Sequence, residues 1–219
     1  MPFPFSPQRF RELPIVGILR GFDATQTAHL LAAARAGGLT TVEITMDAPD
    51  ASERIRQSVA DHGDALNVGA GTVTTVERFE RARSAGASFI VTPTFDPNIV
   101  ARCRDAGLPV FPGALSPTEI ERAWNAGATM VKVFPAEMVG PRFIRALRHH
   151  LPEISLLPTG GVDLNTLPEF ARAGADGFGI GSPLFRRDKV EAEDWTWIEE
   201  RCRAFKAAYV AARTHPPDS

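Results

Sequence analysis

Lysine, cysteine and long apolar runs are all scarce in this chain, and each scarcity narrows what it can do. Of 24 basic residues only Lys132, Lys189 and Lys206 are lysines, so arginine supplies the surface charge and a lysine inside an apolar run is conspicuous. The two cysteines, Cys103 and Cys202, lie far apart in helix-like surroundings, which fits neither a disulfide framework nor a metal motif. A reducing cytoplasm is the expected location. No run approaches the roughly 18 apolar residues of a membrane span, and Met1-Pro2-Phe3-Pro4-Phe5-Ser6 lacks a basic stretch leading into an apolar one, so no membrane partner is expected. A net charge of −2 offers no basic face for nucleic acid. Small solutes are the expected partners.

What is present is a regular alternation. With 219 residues and 44% hydrophobic content the chain suits one globular domain. Ser6 before Pro7 reads as an N-cap with proline at the first helical position, predicting a helix over about 6–13. Apolar runs then fall near 15–19, 41–45, 66–69, 88–91, 108–111, 129–133, 154–158 and 176–180, with helical spacing between them, as in Thr25 to Ala36 and Thr118 to Asn125. Ala-Gly precedes five of the runs, at Ala36-Gly37, Ala85-Gly86, Ala106-Gly107, Ala126-Gly127 and Ala173-Gly174, where glycine past a helix end tolerates the left-handed conformation that stops it. Eight units of helix, glycine stop and strand predict an α/β fold, a closed (β/α)8 TIM barrel forming a single domain over 1–219. A doubly wound open sheet is the alternative. A closing helix is predicted over Ile198 to Ala212, and a disordered tail over about 214–219.

Barrel active sites form where strands run into their C-terminal loops. Those ends read Leu19-Arg20-Gly21, Glu43-Ile44-Thr45, Gly69-Ala70-Gly71-Thr72, Thr92-Pro93, Pro112-Gly113, Lys132 to Phe134, Thr159-Gly160-Gly161 and Gly181-Ser182. Strand alternation puts Met130, Lys132 and Phe134 on one face, with Val131 and Val133 on the other. Burial there lowers an amine's pKa and makes it a nucleophile near neutral pH. The plainer alternative is a lysine that snorkels to water. Glu43 interrupts Val42-Glu43-Ile44 in the same way, and its plain alternative is a structural ion pair with Arg20 or Lys132. Gly160-Gly161 and Gly181-Ser182 stand where barrels bind phosphate through backbone N–H groups, or are simply tight turns.

The histidines argue by their positions. His29, His62, His149, His150 and His215 fall in helices, helix-to-strand loops or the tail, so no metal site is expected. No Gly-x-Ser-x-Gly elbow occurs, which disfavours acyl transfer. An amine nucleophile with a carboxylate able to move protons is what remains.

At these positions the sequence resembles the 2-keto-3-deoxy-6-phosphogluconate and 4-hydroxy-2-oxoglutarate aldolase family, the class I pyruvate-releasing aldolases. The resemblance spans roughly residues 13 to 186. Its carriers are Leu13 to Arg20, Val42-Glu43-Ile44-Thr45, Gly69 to Val73, Val91-Thr92-Pro93, Phe111-Pro112-Gly113, Val131 to Pro135, Pro158 to Val162 and Gly179 to Ser182. It implies a (β/α)8 barrel, usually a homotrimer, with Lys132 as Schiff-base former, Glu43 as acid/base and no cofactor. It further implies that Arg20, Thr72, Pro93, Phe134 and Thr159 contact substrate, and that Gly160, Gly161 and Ser182 contact phosphate.

Many family members hold the substrate carboxylate with an arginine after strand two, where this chain has Thr45-Met46-Asp47-Ala48-Pro49-Asp50. Arg20 resembles the arginine other branches use instead. Thr159 resembles the phosphogluconate enzymes, whereas Leu19-Arg20-Gly21 looks more like the phosphogalactonate branch. The implied activity is cleavage of 2-dehydro-3-deoxy-6-phosphogluconate to pyruvate and glyceraldehyde 3-phosphate. The alternatives are the phosphogalactonate epimer, 4-hydroxy-2-oxoglutarate, another phosphate-binding barrel isomerase or synthase, and a non-catalytic binder of sugar-acid phosphates.

Overall fold

Short apolar runs covered on both faces become parallel strands, and nine strands form among the described residues. The computed structural model describes residues 3–214; the last residues of the predicted tail, 215–219, lie outside them. The strands are β1 (Ile15–Leu19), β2 (Thr41–Thr45), β3 (Asn67–Gly71), β4 (Ile90–Val91), β5 (Val110–Phe111), β6 (Gly113–Ala114), β7 (Val131–Val133), β8 (Leu156–Pro158) and β9 (Phe178–Ile180). All pair in parallel, as a six-stranded sheet in the order β5-β4-β3-β2-β1-β9 and a three-stranded one in the order β6-β7-β8. The sheets meet at two places. The fifth predicted strand is split at Pro112, which has no N–H to give the ladder, so β5 pairs with β4 and β6 pairs with β7. Thr159 bridges Gly179 at the other seam.

Several strands begin two residues later than the apolar runs predict. The N–H groups just before them close the preceding helix instead of lengthening the ladder: Leu108 donates to Cys103 O at 2.9 Å and Ile154 to Leu151 O at 3.3 Å. β3 runs two residues further than predicted, to Gly71.

Helices at Ala24–Ala36, Ala51–His62, Val76–Ser84, Pro97–Asp105, Pro117–Asn125, Gly140–His150, Leu167–Arg172 and Trp195–Thr214 separate and follow the strands. Their starts are chemically marked. Asp23 with Gln26, and Ser116 with Glu119, form reciprocal capping boxes, while Thr75 and Asp96 accept from N–H groups of the first turn. Their ends carry the predicted left-handed glycines at Gly86, Gly107, Gly127 and Gly174. The first pair differs: Gly37 is itself the C-cap in helical conformation and Gly38 has the positive φ, while Gly37 packs against the backbone of Glu199 with no room for a Cβ. A short helix at Pro7–Glu12, capped by Ser6, precedes β1.

Two cores result. The larger fills the layer between strands and helices. A smaller one, made of Phe10, Val16, Phe89, Val91, Phe111, Met130 and Leu157, lies on the inner faces of the strands, where the Phe89 and Phe111 rings meet at 5.4 Å, tilted by 34°. This apolar plug is the floor of the site. Among the described residues no helix is long and apolar enough to cross a membrane.

Candidate active site

Beyond the plug, the inward positions change character. Ile18, Glu43, Lys132 and Thr159 continue the same faces as Val16, Met130 and Leu157, one pleat nearer the C-terminal strand ends. Above them opens a pocket of about 820 Å³. It is lined by nine of the ten residues the sequence singles out: Arg20, Thr72, Pro93, Lys132, Phe134, Thr159, Gly160, Gly161 and Ser182. Glu43, the tenth, lies deeper, on a narrow gap it shares with Lys132, Ile18 and Thr159.

Lys132 is 6% exposed and Glu43 1%. Lysine in β7 is held by its backbone, whose N–H donates to Pro112 O at 2.9 Å, and its Nζ lies 5.3 Å from the centroid of the Phe134 ring. Burial holds the Lys132 amine below the ordinary lysine range; Glu43 opposes this and Arg20 adds to it. Burial likewise pushes the Glu43 carboxyl above the ordinary carboxylate range, against the pull of Lys132 and Arg20. Each group is thus driven toward its neutral form by the same cause. The ion pair that was the plain alternative for Glu43 does not form: no basic group among the described residues comes within 4.0 Å of its carboxylate. Lys132 does not snorkel either, since its strand is buried throughout.

Arg20 is engaged elsewhere. Its Nη2 donates to Thr72 Oγ1 at 2.7 Å and its Nη1 pairs with Asp47 Oδ2 at 3.1 Å. The other Asp47 oxygen accepts from the buried Thr45 hydroxyl at 2.6 Å. Thr72 has a φ of 55°, a left-handed conformation that costs a non-glycine residue on the order of 1–3 kcal/mol and concentrates at functional sites. Asp47 was invisible in the sequence as a site residue, because the loop after strand two stood out only for lacking an arginine. The carboxylate that aligns an arginine from the neighbouring strand occupies that place.

The glycine turns close the opposite end. Gly160 and Gly161 have φ of 89° and 69°, and Thr166 Oγ1 holds the turn through Gly161 O at 2.7 Å. Among the described residues nothing accepts from the N–H groups of Gly161 or Ser182, so both remain available to an anion. Glu137 and Arg187 also line the pocket and carried no signal in the sequence. No three His, Cys, Asp or Glu side chains among the described residues are grouped to hold a metal ion. His29 stacks on Trp195 at 4.9 Å, and His149 and His150 end a helix; His215 lies outside the described residues.

Chemically, this is a buried amine whose pKa burial lowers, a buried carboxyl beside it, a guanidinium at one end and, among the described residues, unpaired N–H groups at the other. The family model for KDPG and KHG aldolase matches residues 7–201. A 2-dehydro-3-deoxy-phosphogluconate aldolase of Treponema pallidum is 41% identical over 167 residues, covering 74% of this chain and 76% of its own. A 2-dehydro-3-deoxy-6-phosphogalactonate aldolase of Escherichia coli is 35% identical over 176 residues, 80% of this chain and 86% of its own. Among solved structures, the KDPG aldolase of Legionella pneumophila, with pyruvate captured as a covalent carbinolamine, superposes with a TM-score of 0.83 at 25% identity, covering 90% of this chain and 96% of that one. With its amine, carboxyl and glycine turns in this arrangement, the chain belongs to the KDPG and KHG aldolase family.

Proposed function

We propose that this chain is a Schiff-base aldolase that cleaves 2-dehydro-3-deoxy-6-phosphogluconate to pyruvate and glyceraldehyde 3-phosphate. The observation that carries the reading is the buried Lys132 beside the buried Glu43, each driven toward its neutral form and neither locked in an ion pair. Unprotonated Lys132 attacks the C2 ketone to give a carbinolamine, which loses water to an iminium. The neutral Glu43 carboxyl gives its proton to the departing hydroxyl, and the carboxylate so formed takes the proton of the C4 hydroxyl. The C3–C4 bond breaks, its electron pair moves into the iminium to give an enamine, and glyceraldehyde 3-phosphate leaves. Protonation at C3 and hydrolysis of the iminium release pyruvate and restore the lysine.

Arg20 and Thr72 hold the substrate carboxylate, Pro93 and Phe134 flank the pyruvyl part, and Thr159 meets the sugar hydroxyls. Gly160, Gly161 and Ser182 take the phosphate. Fixing both ends of the substrate aligns the reacting bond over Lys132. The two sheets, meeting at Pro112 and at the Thr159–Gly179 bridge, support one closed (β/α)8 barrel and a single domain. A homotrimer follows from the family resemblance, and the free thiols of Cys103 and Cys202 fit a reducing cytoplasm. No cofactor enters the chemistry. The Arg20 arrangement favours one second reading, cleavage of the phosphogalactonate epimer, the activity named for the Escherichia coli relative.

The test is intact-mass spectrometry after incubation with pyruvate and sodium borohydride, alongside Lys132→Ala. One reduced pyruvyl adduct on the wild type and none on the variant is the expected result. A folded wild type without an adduct would remove the aldolase reading in favour of a phosphate-binding barrel of different chemistry.

A further inference from the structure

Two adjacent arginines follow the last strand, and they are used differently. Arg186 is committed outward: both its Nε and Nη2 donate to Asp188, at 2.9 and 2.7 Å, and its guanidinium lies over the Trp197 ring. Arg187 turns the other way, onto the pocket wall. Its Nη2 donates to Gly21 O at 2.9 Å and its guanidinium lies 5.6 Å from the Phe22 ring centroid. The head group is therefore held in place by the loop after β1 while part of its donor fork stays uncommitted. Its nearest carboxylate, Glu191, is 3.9 Å away, with both side chains 61% exposed, a contact that leaves the charge largely unneutralised.

The charge inventory of the pocket gives that arginine a task. Its wall carries three basic side chains, Arg20, Lys132 and Arg187, and one acidic one, Glu137. Arg20 is paired with Asp47, and Lys132 must be unprotonated to react. Glu137 lies against the Gly160-Gly161 turn, its Oε2 3.4 Å from where a Cβ on Gly160 would stand. A phosphate carries roughly −1.5 to −2 charge near neutral pH, so backbone N–H groups beside a carboxylate give an incomplete site for it. Gly21, which Arg187 reaches, lies in the loop after β1, and Ser182 lies in the loop after β9, the strand paired with β1. β9 stands between β1 and the Thr159–Gly179 bridge, so Arg187 follows the strand next to the one that ends in the glycine turn.

We propose that Arg187 is the side-chain cation of the phosphate end, binding the phosphomonoester of the substrate together with the Gly161 and Ser182 N–H groups. This rests on the aldolase reading for the identity of the substrate, though not for the presence of an anion site. Arginine suits the position because its planar fork can hold Gly21 O and a phosphate oxygen at once, which a lysine could match in charge but not in geometry.

The experiment is calorimetric titration of the full chain with glycerol 3-phosphate, for the wild type, Arg187→Ala and Arg187→Lys, with thermal unfolding of each. Arg187→Ala should weaken binding by about 10- to 100-fold, the range for loss of a charge-assisted hydrogen bond. Arg187→Lys should recover part of that loss. An Arg187→Ala affinity equal to wild type overturns the proposal, as does a wild type that does not bind. So does an Arg187→Lys as weak as the alanine variant with both melting lower, which would make Arg187 a clamp on Gly21. Pyruvate trapping on Lys132 is read separately: its failure with the titration result intact removes the aldolase reading and leaves the anion site standing.

Discussion

A Cβ on Gly71 would stand 2.4 Å from Oε1 of Glu43, so the carboxyl occupies space that only a glycine on the neighbouring strand leaves open. Gly179 does the same for Thr159, whose Oγ1 would be 2.2 Å from its Cβ, and Gly69 for the Phe89 ring. Interior glycines thus set which side chains fit inside the curled sheet. Gly71→Ala is expected to cost about 1–3 kcal/mol by overpacking and to displace Glu43 from Lys132. Gly71 has no positive φ, so the cost is steric alone. Denaturant unfolding and steady-state cleavage check this together: a variant with unchanged stability and kcat would show that the Glu43 position is not set by its neighbour.

Burial lowers Lys132 and raises Glu43, and the signs have separate consequences. The rate of borohydride-trapped pyruvate adduct formation should rise with pH through the lysine's folded pKa, reaching its plateau below the ordinary lysine range. For stability, a lysine depressed on folding contributes nothing adverse above its unfolded pKa. Stability is then lost as pH falls from that value through the lower folded one, because the unfolded chain takes up the proton first. Lys132→Met should therefore be more stable than wild type at neutral pH, with a gap that closes as pH approaches the ordinary lysine value. Melting curves across that window that run parallel would mean the amine is not desolvated.

Strand parity made the centre of this site legible. In β2 and β7 alternate residues face opposite ways, so a single charged residue among apolar neighbours stood out as functional, with a snorkelling lysine and a structural ion pair as the plain alternatives, and Lys132 and Glu43 were the two. The glycine turns were legible because helix stops and strand ends have local chemistry. Asp47 and Arg187 were not, since long or exposed side chains select among several partners only after distant strands are adjacent. Arg187 meets Gly21 across 166 positions of sequence. The split of the fifth strand had a local signal in Pro112. Strand starts were less accessible, because the same apolar residues can close a helix or extend a ladder.

Asp47 is expected to act on substrate only through Arg20. The pair is partly exposed, 57% and 36% for the two side chains, so its direct contribution to stability is about 1 kcal/mol or less. Asp47→Asn should leave the melting temperature nearly unchanged while raising KM for pyruvate in the condensation direction by roughly fivefold, with kcat affected less. Arg20→Ala should raise it further. If Asp47→Asn lowers kcat and leaves KM alone, the aspartate has a role in the chemical step that its contacts with Arg20 and Thr45 give no reason to expect.

Thr159 bears on which epimer is cleaved. It is 5% exposed, sits under the space Gly179 leaves, and its hydroxyl has only a long contact to Leu157 O at 3.5 Å. That geometry leaves the hydroxyl proton available to a substrate oxygen at C4 or beyond. Thr159→Val keeps the shape and removes the hydroxyl, so little stability is at stake beyond the weak bond to Leu157. Loss of one neutral hydrogen bond to substrate corresponds to about 0.5–1.5 kcal/mol, or roughly 2- to 10-fold in kcat/KM. The phosphogluconate should lose that factor and the phosphogalactonate less, because the bonded oxygen points differently in the two epimers. Assaying both substrates with both proteins isolates the term: kcat/KM values that fall by one common factor would mean that Thr159 supports the pocket without reading the C4 configuration, and discrimination would then have to come from the Arg20 side of the pocket.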